Sequence, residues 1–91
     1  MNYKVSVSQT GRGGTCFYRE NGAELAFDWE FSMTGVTVFV PTPAQWNAFC
    51  EAEIFTGRRQ EILERTGEEL CRQQTSNGKF RVEDNWLEII F

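Results

Sequence analysis

The sequence predicts an α+β fold, an antiparallel sheet of about five or six strands that carries two helices on one face. Residues 3–40 alternate apolar and polar side chains as strands do, the middle of the chain combines helix-start signals with an amphipathic stretch, and the last residues return to strand patterns. With 91 residues the chain has room for one hydrophobic core. We therefore expect a single domain over residues 1–91, with the element order β-β-β-β-α-α-β-β.

Turns that contain glycine divide the N-terminal strands. The Gly-Arg-Gly-Gly segment at 11–14 predicts a turn between the first two strands. Asn21-Gly22 predicts a two-residue hairpin, because a type I′ turn requires positive φ at both central positions. In the returning strand, residues 24–31, the odd positions are apolar and most even positions are carboxylates, so one face is expected to be buried and the other wet. The β-branched run at 36–40 predicts a further, more fully buried strand.

Two helices are predicted after these strands. Thr42 as N-cap, Pro43 at the first helical position and Gln45 as the partner in a capping box predict a short helix that runs to about Ala52. A second helix is predicted from about Gly57 onward, with one apolar stripe. The stripe consists of Ile62, Leu63, Thr66 and Leu70.

Turn residues bound the second helix and the last hairpin. We expect the helix to continue through Gly67, although glycine inside a helix costs about 1 kcal/mol relative to alanine. Ser76-Asn77-Gly78 is expected to end the helical region. Residues 79–83 and 86–91 then predict a hairpin that turns at Asp84-Asn85.

The charge and the cysteine content restrict the partners and the compartment. The chain contains nine Lys and Arg and thirteen Asp and Glu, which gives a net charge of -4. This charge disfavours binding to nucleic acid and anionic lipid and favours binding to a basic protein. The three cysteines cannot all pair within one chain and show no metal-ligand spacing, which indicates a reducing compartment and no metal. The N-terminus lacks a signal-peptide pattern and no apolar run approaches the length of a membrane helix, so a cytoplasmic protein is expected.

The sequence offers little that is typical of catalysis. Histidine is absent, which removes the usual general base and the commonest metal ligand, so no catalytic residue and no cofactor are predicted. The glycines at 11–14 lack the lysine and hydroxyl residue of a phosphate-binding loop, and an ordinary turn is the expected reading. Arg58 and Arg59 open a helix, where positive charge is unfavourable, so they are either neutralised by neighbours or kept for an external anion.

Five residues form the candidate partner-binding site. Carboxylates on the wet face of the third strand would match a basic partner, and a tryptophan in the last strand would anchor it. These residues are Glu24, Asp28, Glu30, Trp86 and Glu88. The alternative is a plain solvated strand surface. Because the last strand is apolar on both faces, it is expected to be either central or covered by a partner, and a homodimer is one way to cover it.

The Leu-Ala-Phe-Asp-Trp-Glu-Phe strand at 25–31, the Thr-Pro-Ala-Gln-Trp helix start at 42–46 and the segment at 57–65 together resemble the small immunity proteins of bacterial toxin systems. The resemblance is to the class and carries over no individual residue. It implies a cytoplasmic protein that binds and blocks one cognate toxin, often a basic nuclease, without doing chemistry itself.

Two other functions stay open at this point. One is a self-associating adaptor or assembly module that pairs through its C-terminal strand. The other is a small enzyme that uses Cys50 or a carboxylate. Core packing is the expected role of all three cysteines, since free cysteine is among the most buried residue types.

Overall fold

A computed structural model describes residues 2–74 and 78–90. Its strands are β1 (Tyr3–Thr10), β2 (Gly13–Glu20), β3 (Ala23–Ser32), β4 (Gly35–Phe39), β5 (Lys79–Val82) and β6 (Trp86–Ile90). They form one antiparallel sheet in the order β1-β2-β3-β4-β6-β5. Between β4 and β5 lie α1 (Trp46–Phe49), a 3₁₀ turn (Glu53–Phe55) and α2 (Arg59–Gln74). The predicted α+β class and element order are confirmed.

The two N-terminal turns join strands, as the sequence predicts. Asn21 and Gly22 have φ of 52° and 81°, and the register Glu20 to Ala23 closes the two-residue hairpin between β2 and β3. The glycine-rich segment at 11–14 joins β1 to β2, with its last two glycines already inside β2. It therefore opens no helix, which a phosphate-binding loop would do.

One face of the sheet forms the core. Its buried apolar residues are Val5, Cys16, Tyr18, Leu25, Phe27, Trp29, Val36, Val38, Leu87 and Ile89. The helix α2 packs its predicted stripe, Ile62 to Leu70, against this face. Trp46 of α1 lies on the same side, since its ring stacks on Phe27 with 6.3 Å between ring centroids. Both helices thus cover one face of the sheet.

The first helix is shorter than the sequence suggests. Thr42 and Gln45 exchange the two hydrogen bonds of a capping box, at 3.2 and 3.3 Å, yet helical structure begins only at Trp46 and ends at Phe49 instead of Ala52. The Nε1–H of the buried Trp46 donates to the carbonyl of Phe55 at 2.8 Å. This tertiary hydrogen bond holds Phe55 next to Trp46 in the core. A helix that continued to Ala52 would direct the chain away from that position.

The helix α2 runs without a break through Gly67, as expected. A Cβ at Gly67 would lie 2.6 Å from Cγ of Phe80 in β5. Glycine therefore allows the edge strand to approach the helix closely. Of the predicted stop at 76–78, Ser76 and Asn77 lie outside the described residues.

The last hairpin has the predicted strands and turn. The N–H of Glu83 donates to the carbonyl of Trp86 at 2.8 Å and closes it. Phe91, the predicted last strand residue, lies outside the described residues. The strand β6 lies between β4 and β5 and is paired on both edges. Its central position accounts for its apolar residues, and it offers no backbone edge for the self-association considered above.

Candidate functional site

The side of the sheet opposite α2 is an open face. In β3, the odd positions from Leu25 to Trp29 are buried, whereas Glu24, Ala26, Asp28 and Glu30 are exposed. The same alternation continues across β4 and β6 through the pairs Glu30 to Thr37 and Thr37 to Glu88. Both helices of the described chain pack on the other side, so these side chains face solvent.

All five predicted site residues lie on this open face. Glu24, Asp28 and Glu30 project from β3, and Trp86 and Glu88 project from β6. Thr37 of β4 stands between Glu30 and Glu88 in one cross-strand row, so the backbones of these two carboxylates are two strand spacings apart, about 10 Å. The sheet order brings together residues that are distant in sequence.

An exposed aromatic pair lies beside the carboxylates. Phe39 of β4 is directly opposite Trp86 of β6, and their exposed fractions are 46% and 41%. The sequence predicts a more fully buried strand here, whereas Phe39 is exposed. Its parity matches Thr37 and differs from Val38, and that alternation is the signal that would have placed Phe39 on the open face.

The carboxylates of the site differ in their partners. Glu24 accepts a hydrogen bond from Arg19 at 2.6 Å, and Glu88 accepts one from Arg81 at 2.7 Å. Asp28 and Glu30, by contrast, form no ion pair or side-chain hydrogen bond with any residue that the structure describes. The centre of the open face thus carries two unneutralised carboxylates, while its flanks carry internally paired charges.

A second charged cluster joins α2 to β2. Glu20 is buried and accepts hydrogen bonds from Arg58 at 3.0 and 3.1 Å and from the hydroxyl of Tyr18 at 2.6 Å. Arg65 adds an ion pair to Glu20 at 3.3 Å, and Glu61 pairs with both arginines. Hydrogen bonds from Arg58, followed by the bond from Tyr18, hold the pKa of Glu20 below its usual value despite its burial.

This cluster is structural. Arg58 is neutralised by its neighbours, which is one of the two expected outcomes for the start of α2. Arg59 pairs with no carboxylate of residues 2–74 or 78–90 and instead donates to the carbonyls of Pro41, Glu83 and Asp84 at 2.6–2.9 Å. The two arginines therefore attach the start of α2 to β2, to the end of β4 and to the β5–β6 turn.

The three cysteines are free thiols. Burial raises the pKa of Cys16 to about 12, and it also raises the pKa of the Cys50 and Cys71 thiols. A thiol nucleophile requires a lowered pKa, so the environment of each cysteine opposes activation. Cys50 caps the end of α1, where the predicted helix would have contained it.

Space for a small-molecule ligand inside the core is limited. A cavity of about 50 Å³ lies below the C-terminal part of α2, next to Cys16, Trp29, Val38 and Leu70. Ligand pockets are typically several hundred Å³ in volume, about ten times larger. Within residues 2–74 and 78–90, no three Cys, Asp or Glu side chains come close enough to hold a metal ion. The open face is thus the candidate site.

Comparison with protein-family models, with curated proteins and with solved structures finds no significant match to this chain. Among the described residues, no helix has both the length and the apolar character that crossing a membrane requires. The function is therefore inferred from the geometry of the open face.

Proposed function

We propose that this chain is a non-enzymatic protein-binding protein, an inhibitor of the immunity type that neutralises a basic toxin domain through its open face. One observation carries the proposal: the unneutralised Asp28 and Glu30 lie beside the exposed Phe39–Trp86 pair on a sheet face that no helix of the described chain covers.

Charge and aromatic surface have different roles in such a contact. Two carboxylates without internal partners attract a cationic surface and accept its hydrogen bonds without first breaking an ion pair of their own. Large aromatic side chains near the centre of an interface supply most of the binding energy, because they bury much surface with few rotatable bonds. Phe39 and Trp86 have the exposure that this role requires.

The flanking ion pairs leave the attraction concentrated at the centre of the face. Arg19 engages Glu24, and Arg81 engages both Glu88 and Glu83. A basic partner would have to break these pairs to use the flanking carboxylates, so contact with Asp28 and Glu30 is favoured over other docked positions. The resemblance to small immunity proteins adds the class of partner, a toxin domain, and the expected cytoplasmic location.

The test starts from the proteins encoded next to this chain, because an immunity gene stands beside the gene of its toxin. Each neighbour is co-expressed with this chain, and the purified pair is measured by calorimetry at low and high salt. We expect one basic neighbour to bind, to lose its toxicity, and to bind more weakly as salt rises.

The decisive variant is the Asp28→Lys, Glu30→Lys double substitution. It should weaken binding by at least about a hundredfold, since charge reversal replaces attraction by repulsion at the interface. The matched control is Glu64→Lys with Glu68→Lys, which makes the same change of net charge on the exposed side of α2. Equal binding by both double variants, or no binding neighbour at all, would contradict the proposal.

A further inference from the structure

The strand β3 has an unpaired edge along six of its ten residues. It spans Ala23–Ser32 and pairs with β2 from Ala23 to Glu30. On its other side β4 is only five residues long and pairs with Trp29 to Ser32. Within the part of the chain that the structure describes, residues 23–28 therefore have a strand neighbour on one side alone.

The backbone groups that face this gap can be identified. The N–H of Phe31 donates to the carbonyl of Arg12 at 2.9 Å, on the β2 side, so the odd positions of β3 direct their backbone groups towards β2. The N–H and C=O of Glu24 and Ala26 must point the other way. No hydrogen bond from residues 2–74 or 78–90 reaches them across this edge, and both residues are exposed.

A shallow groove, widely open to solvent and with a largely apolar lining, lies beside residues 26–28 of this edge. Ala26 and Asp28 border it on the β3 side, Phe39 and Pro41 border it where the chain leaves β4, and Ala48 and Phe49 of α1 line the rest. Its volume is about 560 Å³. Phe39 and Phe49 are 46% and 40% exposed there, so apolar surface remains available beside the free backbone groups.

We propose that this groove accepts an extended segment of a partner protein, which adds to the sheet as a strand in line with β4. Unpaired N–H and C=O groups on a strand edge are satisfied by another strand, and the groove supplies pockets for alternate side chains. Because Asp28 lies at the groove without a partner of its own among the described residues, the segment should carry a Lys or Arg there. Six residues of edge accommodate a segment of about 20 Å.

This mode of binding is independent of the inhibitor function proposed above. The open face presents side chains, whereas the edge presents backbone groups, and Ala26, Asp28 and Phe39 border both surfaces. Ala48→Trp alters the groove and leaves these three residues unchanged, so it separates the two proposals.

The first measurement is amide hydrogen exchange on the purified chain. The amides of Glu24 and Ala26 should exchange at least about a hundredfold faster than those of Leu25 and Phe27, whose backbone groups face β2. Protected Glu24 and Ala26 amides in the monomer would overturn the proposal, because the edge would already be covered.

The second measurement uses a library of randomised eight-residue peptides displayed on phage. We expect selected peptides to alternate apolar residues, to contain Lys or Arg, and to slow exchange of the Ala26 amide when bound. Ala26→Pro removes the edge N–H and should weaken binding at least about tenfold, because proline is tolerated at strand edges but cannot donate.

Ala48→Trp fills the groove and keeps the test valid if the proline variant does not fold. Its control is Ala44→Trp, which places the same side chain at an exposed position outside the groove. Loss of peptide binding in Ala48→Trp but not in Ala44→Trp supports the proposal. Selection of no peptide, equal binding by all variants, or occupation of the edge by a second copy of this chain would overturn it.

Discussion

The contact between Gly67 and Phe80 allows a prediction in which one substitution changes the sign of its effect. Gly67 lies in the middle of α2, where alanine is more stable than glycine by about 1 kcal/mol. In the native chain, however, the added Cβ would lie 2.6 Å from Cγ of Phe80. Carbon atoms in good contact are about 3.5–4.0 Å apart, so the ring must move by about 1 Å.

The magnitude follows from these opposing effects. Overpacking typically costs about 1–3 kcal/mol, and the gain in helix propensity offsets about 1 kcal/mol of it. We therefore expect Gly67→Ala to lower the free energy of unfolding by up to about 2 kcal/mol in the native background. In a Phe80→Ala background the obstruction is absent, and the same substitution should raise it by up to about 1 kcal/mol.

Urea denaturation of the native chain, the two single variants and the double variant measures the coupling. Tryptophan fluorescence reports unfolding, and unchanged slopes show that the variants differ in stability alone. The coupling energy should be about 1–3 kcal/mol. Additive effects, with Gly67→Ala acting equally in both backgrounds, would refute the assignment of Gly67 to close packing.

The other predictions use the same assay. Gly22→Ala should cost about 1 kcal/mol although space surrounds the position, because φ of 81° strains any side chain. Trp46→Phe should cost about 1 kcal/mol by removing its hydrogen bond to the Phe55 carbonyl, which keeps only the longer bond from the Arg58 N–H at 3.3 Å. Trp86→Phe on the open face should change stability by less than about 0.5 kcal/mol. Glu20→Gln should cost about 1–3 kcal/mol at neutral pH. The pKa of Glu20 is lower in the folded protein than its ordinary value of 4.5. The stability that ionised Glu20 contributes is therefore complete above pH 4.5 and is lost as the pH falls through the folded pKa. Glu20→Gln lacks this contribution, so its free energy of unfolding should fall less on acidification than that of the native chain. Equal slopes of stability against pH below that value would contradict this role of Glu20.

Local patterns predict much of the fold because they depend on neighbouring residues. Asn21-Gly22 determines a hairpin through its own backbone preferences, and the parity of β3 separates its buried and exposed residues. The length of α1 could not be predicted in this way. It depends on the Trp46 hydrogen bond to Phe55, and a capping box alone does not show where a tertiary contact ends a helix.

The candidate site, too, was predictable where it depends on local patterns and not where it depends on tertiary contacts. Parity placed Glu24, Asp28 and Glu30 on one face, and it placed Trp86 and Glu88 on one face of the last strand. These two faces lie on the same side of the sheet because β4 pairs with both β3 and β6. Strand order reflects contacts between distant residues, and no local pattern specifies it. The unpaired edge of β3 was missed for a related reason, since it depends on the relative lengths of two strands.

The order of the strands also has a consequence for synthesis on the ribosome. Strands β1 to β4 form successive hairpins and can pair as soon as they emerge, but the outer edge of β4 must wait for β6, which follows α2 in the chain. Until then the nascent polypeptide exposes a β-branched strand edge and the apolar side of a four-stranded sheet, both of which promote aggregation. The C-terminal hairpin is thus the element that completes the sheet, and a chain truncated before this hairpin should be insoluble.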